Sequence, residues 1–335
     1  MAEMDTRARI GADTRVLADV GGTNARFAWQ AGPGAELQDV LTLPCAEHDS
    51  LESALRAWLQ RTGRPLPQRV GVGIANPVHG DHIQMTNHHW SFSIEGMRCS
   101  LGVHELVVIN DFTALALAIP LLLPHERRVV SMGPQQGAPG KAIGVLGAGT
   151  GLGMGGLLPL TVNGQLHWAP IEGEGGHISL APETEQEIWV LKALQRRFNG
   201  RVSAERVLSG PGLIHLLDAL EQVTGDHARL PERTAAAISQ HGMTGDCKVS
   251  EQVLQMFCGL LGSAAGDLAL LLGARGGIYI GGGIVPRLGP WFDHSDFRRR
   301  FEDKGRLSHL VREVPVFLID AEVSPALRGV GQALR

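Results

Sequence analysis

Two stretches of this chain, about 130 residues apart, repeat one pattern of apolar and polar positions. The first opens on the apolar run Val16-Leu17-Ala18, turns through Asp19-Val20-Gly21-Gly22-Thr23-Asn24, and returns to Trp29 with apolar residues alternating. The second has the apolar run 142–146, the turn Gly147-Ala148-Gly149-Thr150-Gly151-Leu152-Gly153, and a returning run 154–160 followed by Asn163-Gly164. Alternation on both sides of a glycine turn predicts strand, tight turn and returning strand in each case, and Asn-Gly predicts one more hairpin turn. Two such units suggest a duplicated core in which each half offers a glycine hairpin to a shared cleft.

Elsewhere the period changes. After Ser50, a good N-cap, apolar residues recur at Leu51, Ala54, Leu55, Trp58 and Leu59, the spacing of one helix face, and Gly63 closes the segment. Residues 187–198 and 253–272 are also expected to be helical. An apolar strand at 106–109 runs into Asn110-Asp111-Phe112, after which Thr113 starts an Ala/Leu-rich helix. A short buried-type strand around Ile278-Tyr279-Ile280 ends in Gly281-Gly282-Gly283. Strand and helix segments alternate through most of the chain, so the fold class is α/β.

Length and composition narrow the picture. A chain of 335 residues has room for about two domains with sizeable cores. With 44% apolar and 19% charged residues, it is neither disordered nor fibrous. The net charge of −4 and four dispersed lysines give no phosphate-tracking surface, so nucleic acid is not an expected partner. The four cysteines form no C-x2-C pair, which fits reduced thiols and a cytoplasmic location. The longest apolar stretches, such as 114–124, fall short of a bilayer span, so no membrane partner is expected. Residues 1–15 lack an apolar core of the secretory kind and read as a frayed extension. The outlying number is glycine, 44 of 335 residues, about twice the usual share.

Glycine turns suit anions, because a backbone without Cβ atoms approaches a phosphate closely and donates N–H groups, with Thr23 and Thr150 adding hydroxyls. A Walker A loop is excluded: the only Gly-Lys, Gly140-Lys141, is followed by Ala142. The spacing Gly151-x-Gly153-x-x-Gly156 formally matches a dinucleotide fingerprint. That fingerprint should open a helix, whereas residues 157–168 read as strand, hairpin and strand. The triplet Gly281-Gly282-Gly283 leaves room for a flat adenine or ribose, or is a plain loop.

The Asn-Asp pair falls at a strand's carboxyl end, where open α/β sheets bind ligands, and Asp111 there is either a helix cap or a functional carboxylate. Phosphoryl transfer needs a nucleotide held by its phosphates, Mg²⁺, and a carboxylate to receive the acceptor's proton. The turns supply the first and Asp111 is a candidate for the last. Asp19, ending the first strand, can face Mg²⁺ through water. Glu174, His177 and Glu205 add groups suited to the hydroxyls of a small polyol, so a sugar is the natural guest. His79, His82, His88 and His89 match no standard metal spacing and read as solvated loop histidines.

Taken in order, these segments resemble the bacterial glucokinases of the hexokinase/actin-like ATPase superfamily, from about residue 16 to 327. Further matching motifs are Met85-Thr86-Asn87-His88-His89-Trp90, Gly173-Glu174-Gly175-Gly176-His177, Val202-Ser203-Ala204-Glu205-Arg206, and Gly281 to Gly283 with Ile284-Val285-Pro286. The resemblance implies ATP-dependent phosphorylation of glucose at its 6-hydroxyl, with Asp111 as general base and Asn110, Glu174, His177 and Glu205 on the sugar. It places Ala18, Asp19, Val20, Gly21, Gly22, Thr23 and Asn24, with Gly149, Thr150 and Gly151, at the nucleotide phosphates, and Gly281, Gly282 and Gly283 near the adenosine. It implies a two-domain actin-like (ribonuclease H-like) fold, residues 1–120 with 318–335 forming a small domain and 121–317 a large one. A homodimer is implied as well. The structural zinc motif of a neighbouring branch is absent after His177, where Ile178-Ser179-Leu180 stands. A sugar-responsive regulator or an actin-like ATPase on the same scaffold remains the alternative. The regulator would need a DNA-reading helix pair ahead of the first strand, and the ATPase would not need Asn110, Glu174, His177 and Glu205 together.

Overall fold

In the computed structural model, which describes residues 13–86, 88–130 and 133–334, the first glycine turn joins two antiparallel strands, β1 (Arg15–Val20) and β2 (Asn24–Gln30), as the alternation predicts. They belong to the first of two compact units, residues 1–122 with 322–335. Its sheet has the order β3-β2-β1-β4-β7, with β3 (Leu37–Pro44), β4 (Arg69–Ile74) and β7 (Glu105–Asn110); a small ribbon of β5 (His82–Gln84) and β6 (Ser91–Ser93) stands beside it in sequence. Strands β1, β4 and β7 run parallel and in register, so that Val20 is level with Ile74 and Ile74 with Asn110.

Alternation along β1 sorts its side chains onto two faces. Val16, Ala18 and Val20 enter a cluster with Leu51, Leu55 and Trp58 of helix α1 (Leu51–Thr62), while Leu17 faces Ala114, Leu327 and Val330. Helix α1 is capped by Ser50, whose hydroxyl accepts from the Ser53 amide, and Gly63 ends it in the left-handed conformation, as the spacing predicts. The second cluster is closed by α3 (Asp111–Ala118; α2 is Ile94–Leu101) and the C-terminal helix Ala326–Ala333. These two helices cross at Gly329, where a Cβ would overlap the Ala114 carbonyl.

The C-terminal helix also corrects the expected fraying at residues 13–15, the described part of the extension. Arg15 is buried within β1 and donates to the Gly331 carbonyl at 3.0 Å, and its guanidinium pairs with Asp13. The acceptor lies over 300 residues away, so nothing local announces it. Residues 1–12 lie outside the described residues.

The second unit, residues 123–321, is built on a six-stranded sheet of order β11-β10-β9-β12-β13-β8. Its strands are β8 (Arg127–Val129), β9 (Ile143–Ala148), β10 (Leu152–Val162), β11 (Gln165–Ile171), β12 (Gly277–Gly281) and β13 (Val316–Ile319). The second glycine turn joins antiparallel β9 and β10, and Asn163 and Gly164, both at positive φ, make the hairpin to β11. The dinucleotide spacing therefore lies on strands. Because β13 pairs with β12, the unit boundary falls after it, at 321/322, whereas the expected boundary at 317/318 cuts this strand.

Helices α4 (Glu185–Arg197), α5 (Gly210–Thr224), α6 (Ala235–Thr244) and α7 (Lys248–Leu272) complete the core. Helix α7 starts five residues before the expected 253, because Val249 and Ser250 extend its buried stripe. It is long and apolar enough to cross a membrane, and most of it is buried inside this unit. Arg300, also buried, reaches the Glu187 carboxylate on α4 at 2.6 Å and the Ser263 hydroxyl on α7 at 3.1 Å.

Two outcomes follow from this packing. Gly329→Val forces the helix crossing apart and costs about 3 kcal/mol or more, read as a lower urea midpoint. Cys99 alone among the four free cysteines is exposed, and burial pushes the Cys258 thiol up to about 12. A thiol reagent therefore titrates a single group in the folded protein and all four after denaturation.

Candidate active site

In the first unit the candidate residues gather at the carboxyl ends of β1 and β7. The turn after β1 is closed by the Gly21 amide donating to the Asn24 carbonyl at 2.9 Å. Two of its carbonyls are tied back to one residue: Cys45 donates its amide to the Thr23 carbonyl at 2.8 Å and its thiol to the Gly21 carbonyl at 3.5 Å. Among the described residues, no backbone hydrogen bond uses the Gly22 or Thr23 amide. Two adjacent N–H groups without an internal acceptor are what an anionic oxygen requires.

Asp19 stands directly opposite Arg26 across the hairpin and pairs with it at 3.3 Å, its carboxylate partly exposed. Among the described residues no three His, Cys, Asp or Glu side chains gather as a metal site. A single carboxylate does not make a protein cage, but it fits Mg²⁺, which keeps several waters and travels on nucleotide phosphates.

The capping role left open for Asp111 falls to its neighbour Asn110. Asn110 is the cap: its Oδ1 accepts from the Phe112 amide at 2.8 Å and the Thr113 amide at 3.3 Å, so α3 begins at Asp111 rather than at Thr113. The Asn110 Nδ2 donates to the Asn76 carbonyl at 3.3 Å, leaving one N–H for a ligand. Asp111 occupies the first helical position, partly buried, with its Oδ1 accepting from the Phe112 amide at 2.9 Å.

Asn76 escaped sequence reasoning. It lies just past β4, is buried, and its Oδ1 accepts from the Thr86 amide at 3.0 Å. It thus joins Asn110 to the segment 85–90, in which Asn87 lies outside the described residues. An Asn-Pro pair after an apolar run signals a turn and nothing more. The histidines of this region are not uniformly solvated: His79, His82 and His89 are exposed, but His88 packs against Trp90 with a buried Nδ1 that has no partner. Burial, with His89 adjacent, holds its pKa below the usual histidine range.

In the second unit the candidates meet at the ends of β9 and β12. The turn is closed by the Gly149 amide on the Gly151 carbonyl at 2.8 Å, and the Gly210 amide donates to the Gly149 carbonyl at 2.8 Å. The Leu152 amide donates to Glu205 Oε2 at 3.1 Å, and Glu205 Oε1 lies 3.9 Å from His177 Nε2. Arg201 holds the His177 carbonyl at 2.6 Å. Glu174 precedes the same short helical turn, with its carbonyl accepting from the His177 amide and its side chain exposed. Thr150 is exposed at the apex of the glycine turn. Gly281 is level with Gly147, and Gly282, at φ +83°, packs where a Cβ would strike Ala148. The glycine triplet and the second turn are therefore neighbours, with Gly283 open above them.

Chemically, each unit offers a strand-turn-strand hairpin with amides suited to phosphate oxygens. The first adds a carboxylate at a strand end, and the second adds carboxylates and an imidazole suited to hydroxyl groups. The sequence profile of glucokinase matches residues 16–335. A glucokinase of Aromatoleum aromaticum is 50% identical over 96% of this chain and 94% of its own length, and one of Chromobacterium violaceum is 48% identical over 96% and 89%. The solved structure of a glucokinase from an Antarctic psychrotroph, 37% identical, superposes with a TM-score of 0.85 over 97% of this chain and 99% of that one. The chain belongs to the glucokinase family.

The capping role of Asn110 is directly testable. Asn110→Ala removes the cap and costs about 1–2 kcal/mol in chemical denaturation, whereas Asn110→Asp keeps an acceptor and most of that stability.

Proposed function

We propose that this chain transfers the terminal phosphoryl group of ATP to the 6-hydroxyl of glucose, giving glucose 6-phosphate in glycolysis. Asp111 receives the proton of that hydroxyl as it attacks. Asn110 donates its remaining N–H to a sugar oxygen, and Glu174, His177 and Glu205 read other hydroxyls. Residues Ala18 to Asn24 and Gly149 to Gly151 hold the nucleotide phosphates through backbone amides and the Thr23 and Thr150 hydroxyls. Gly281 to Gly283 lie against the adenosine. Asp19 holds Mg²⁺ through water, with Arg26 keeping its carboxylate in place. Mg²⁺, when bound, neutralises the charge building on the phosphoryl oxygens.

The observation that carries this reading is the level register of β1, β4 and β7. It puts Asp111 two strand spacings, about 10 Å, from the first glycine turn. An attacking hydroxyl and a terminal phosphate fill such a gap. The reading extends to a cytoplasmic enzyme, which the four free thiols favour, and to a homodimer, which sedimentation of the purified protein tests. Glucose and ATP are its partners, and neither nucleic acid nor a membrane is expected.

Release of ADP from ATP should depend on glucose, and hydrolysis indifferent to sugar would replace this reading with an ATPase. In a coupled assay Asp111→Asn keeps glucose affinity but lowers kcat by about 10²–10⁴; near-normal turnover would move the base elsewhere. Glu205→Gln raises the glucose KM more than the ATP KM.

A further inference from the structure

Four glycines of the second turn read alike in sequence, yet their surroundings differ. A Cβ at Gly149 meets nothing within 4 Å, so the protein itself gives no steric reason for a glycine there. A Cβ at Gly151 would sit 2.5 Å from Glu205 Oε2 and 3.3 Å from its carboxyl carbon. Gly151 is not in the left-handed region, so its backbone accepts other residues and only the carboxylate excludes a side chain.

Glu205 has little choice of place. The Ser209 hydroxyl donates to its carbonyl at 2.8 Å, Ser203 caps the short turn Ala204–Arg206 that carries it, and the Gly210 amide binds the Gly149 carbonyl at 2.8 Å. From this fixed backbone the side chain reaches across Gly151, docks Oε2 on the Leu152 amide at 3.1 Å, and turns Oε1 towards His177 Nε2. We infer that Gly151 is a positioning residue for sugar recognition: its missing side chain lets Glu205 lock onto the Leu152 amide and so fixes the direction of the carboxylate oxygen offered to the sugar. The inference rests on the reading of Glu205 as a sugar ligand. It gives Gly151 a task different from that of Gly149, although both lie in one phosphate-binding turn.

A methyl group at 151 meets the far end of a flexible, one-third exposed side chain. The fold tolerates it, and the carboxylate swings off the Leu152 amide. Glucose binding measured calorimetrically in the absence of nucleotide reads this directly, since a role confined to phosphate binding would leave it untouched. Gly151→Ala should weaken that binding by about tenfold, the scale of a misaligned hydrogen bond to a charged group. Gly149→Ala should raise the ATP KM and leave nucleotide-free glucose binding within about twofold of wild type. An unchanged glucose Kd in Gly151→Ala, with Glu205→Gln weakened, overturns the inference. An unchanged Kd in Glu205→Gln instead removes Glu205 from the sugar and overturns the underlying reading. Should Gly151→Ala melt early, Gly151→Ala/Glu205→Ala decides the matter: the Tm recovers if the glutamate is what the methyl strikes, and failure to recover refutes the contact.

Discussion

The parallel register of β1, β4 and β7 is the constraint on which the first unit's chemistry depends. Parallel pairing fixes which residues are level, and here it brings three strands to an end together. Val20 hands the chain to the glycine turn, Ile74 to Asn76, and Asn110 to α3. A slip of one residue in β7 would turn every side chain of that strand to the other face of the sheet, and Asn110 would no longer be level with Ile74. The Asn76 carbonyl, accepting from Asn110 Nδ2, then fastens the ends of β4 and β7 to each other, so Asn110 inherits the precision of the sheet.

The two glycine turns reach one end by different means. In the first, Cys45 draws the Gly21 and Thr23 carbonyls back and leaves neighbouring amides without internal acceptors. In the second, Gly210 takes the Gly149 carbonyl and Glu205 takes the Leu152 amide. The backbone of a glycine turn has both donors and acceptors, and a turn suited to an anion has its acceptors occupied elsewhere. Cys45 and Gly210 occupy acceptors in this way, whereas Glu205 takes up a donor, the Leu152 amide.

Much of this was legible in the sequence because it is local. Alternation around glycine gives both hairpins, the Ser50 to Gly63 spacing gives α1, and an apolar run ending in Asn-Asp gives β7 and its helix. What the sequence hid depends on contacts far along the chain. The Arg15 side chain is fastened at the start of β1 by Gly331, and β13 belongs to the second sheet because β12 is beside it. Asn110 and Asp111 are both good capping residues, and only the completed sheet decides between them. The steric reason for Gly151 is a residue more than fifty positions away, so it looks like any other glycine of its cluster.

The helix Ala326–Ala333 closes one face of a sheet whose first strand is made at the opposite end of the chain. During synthesis the whole of residues 123–321 emerges before that helix exists. Residues 123–321 can therefore reach their native packing while the first unit still waits with one apolar surface uncovered, because the helix that covers it is translated after them.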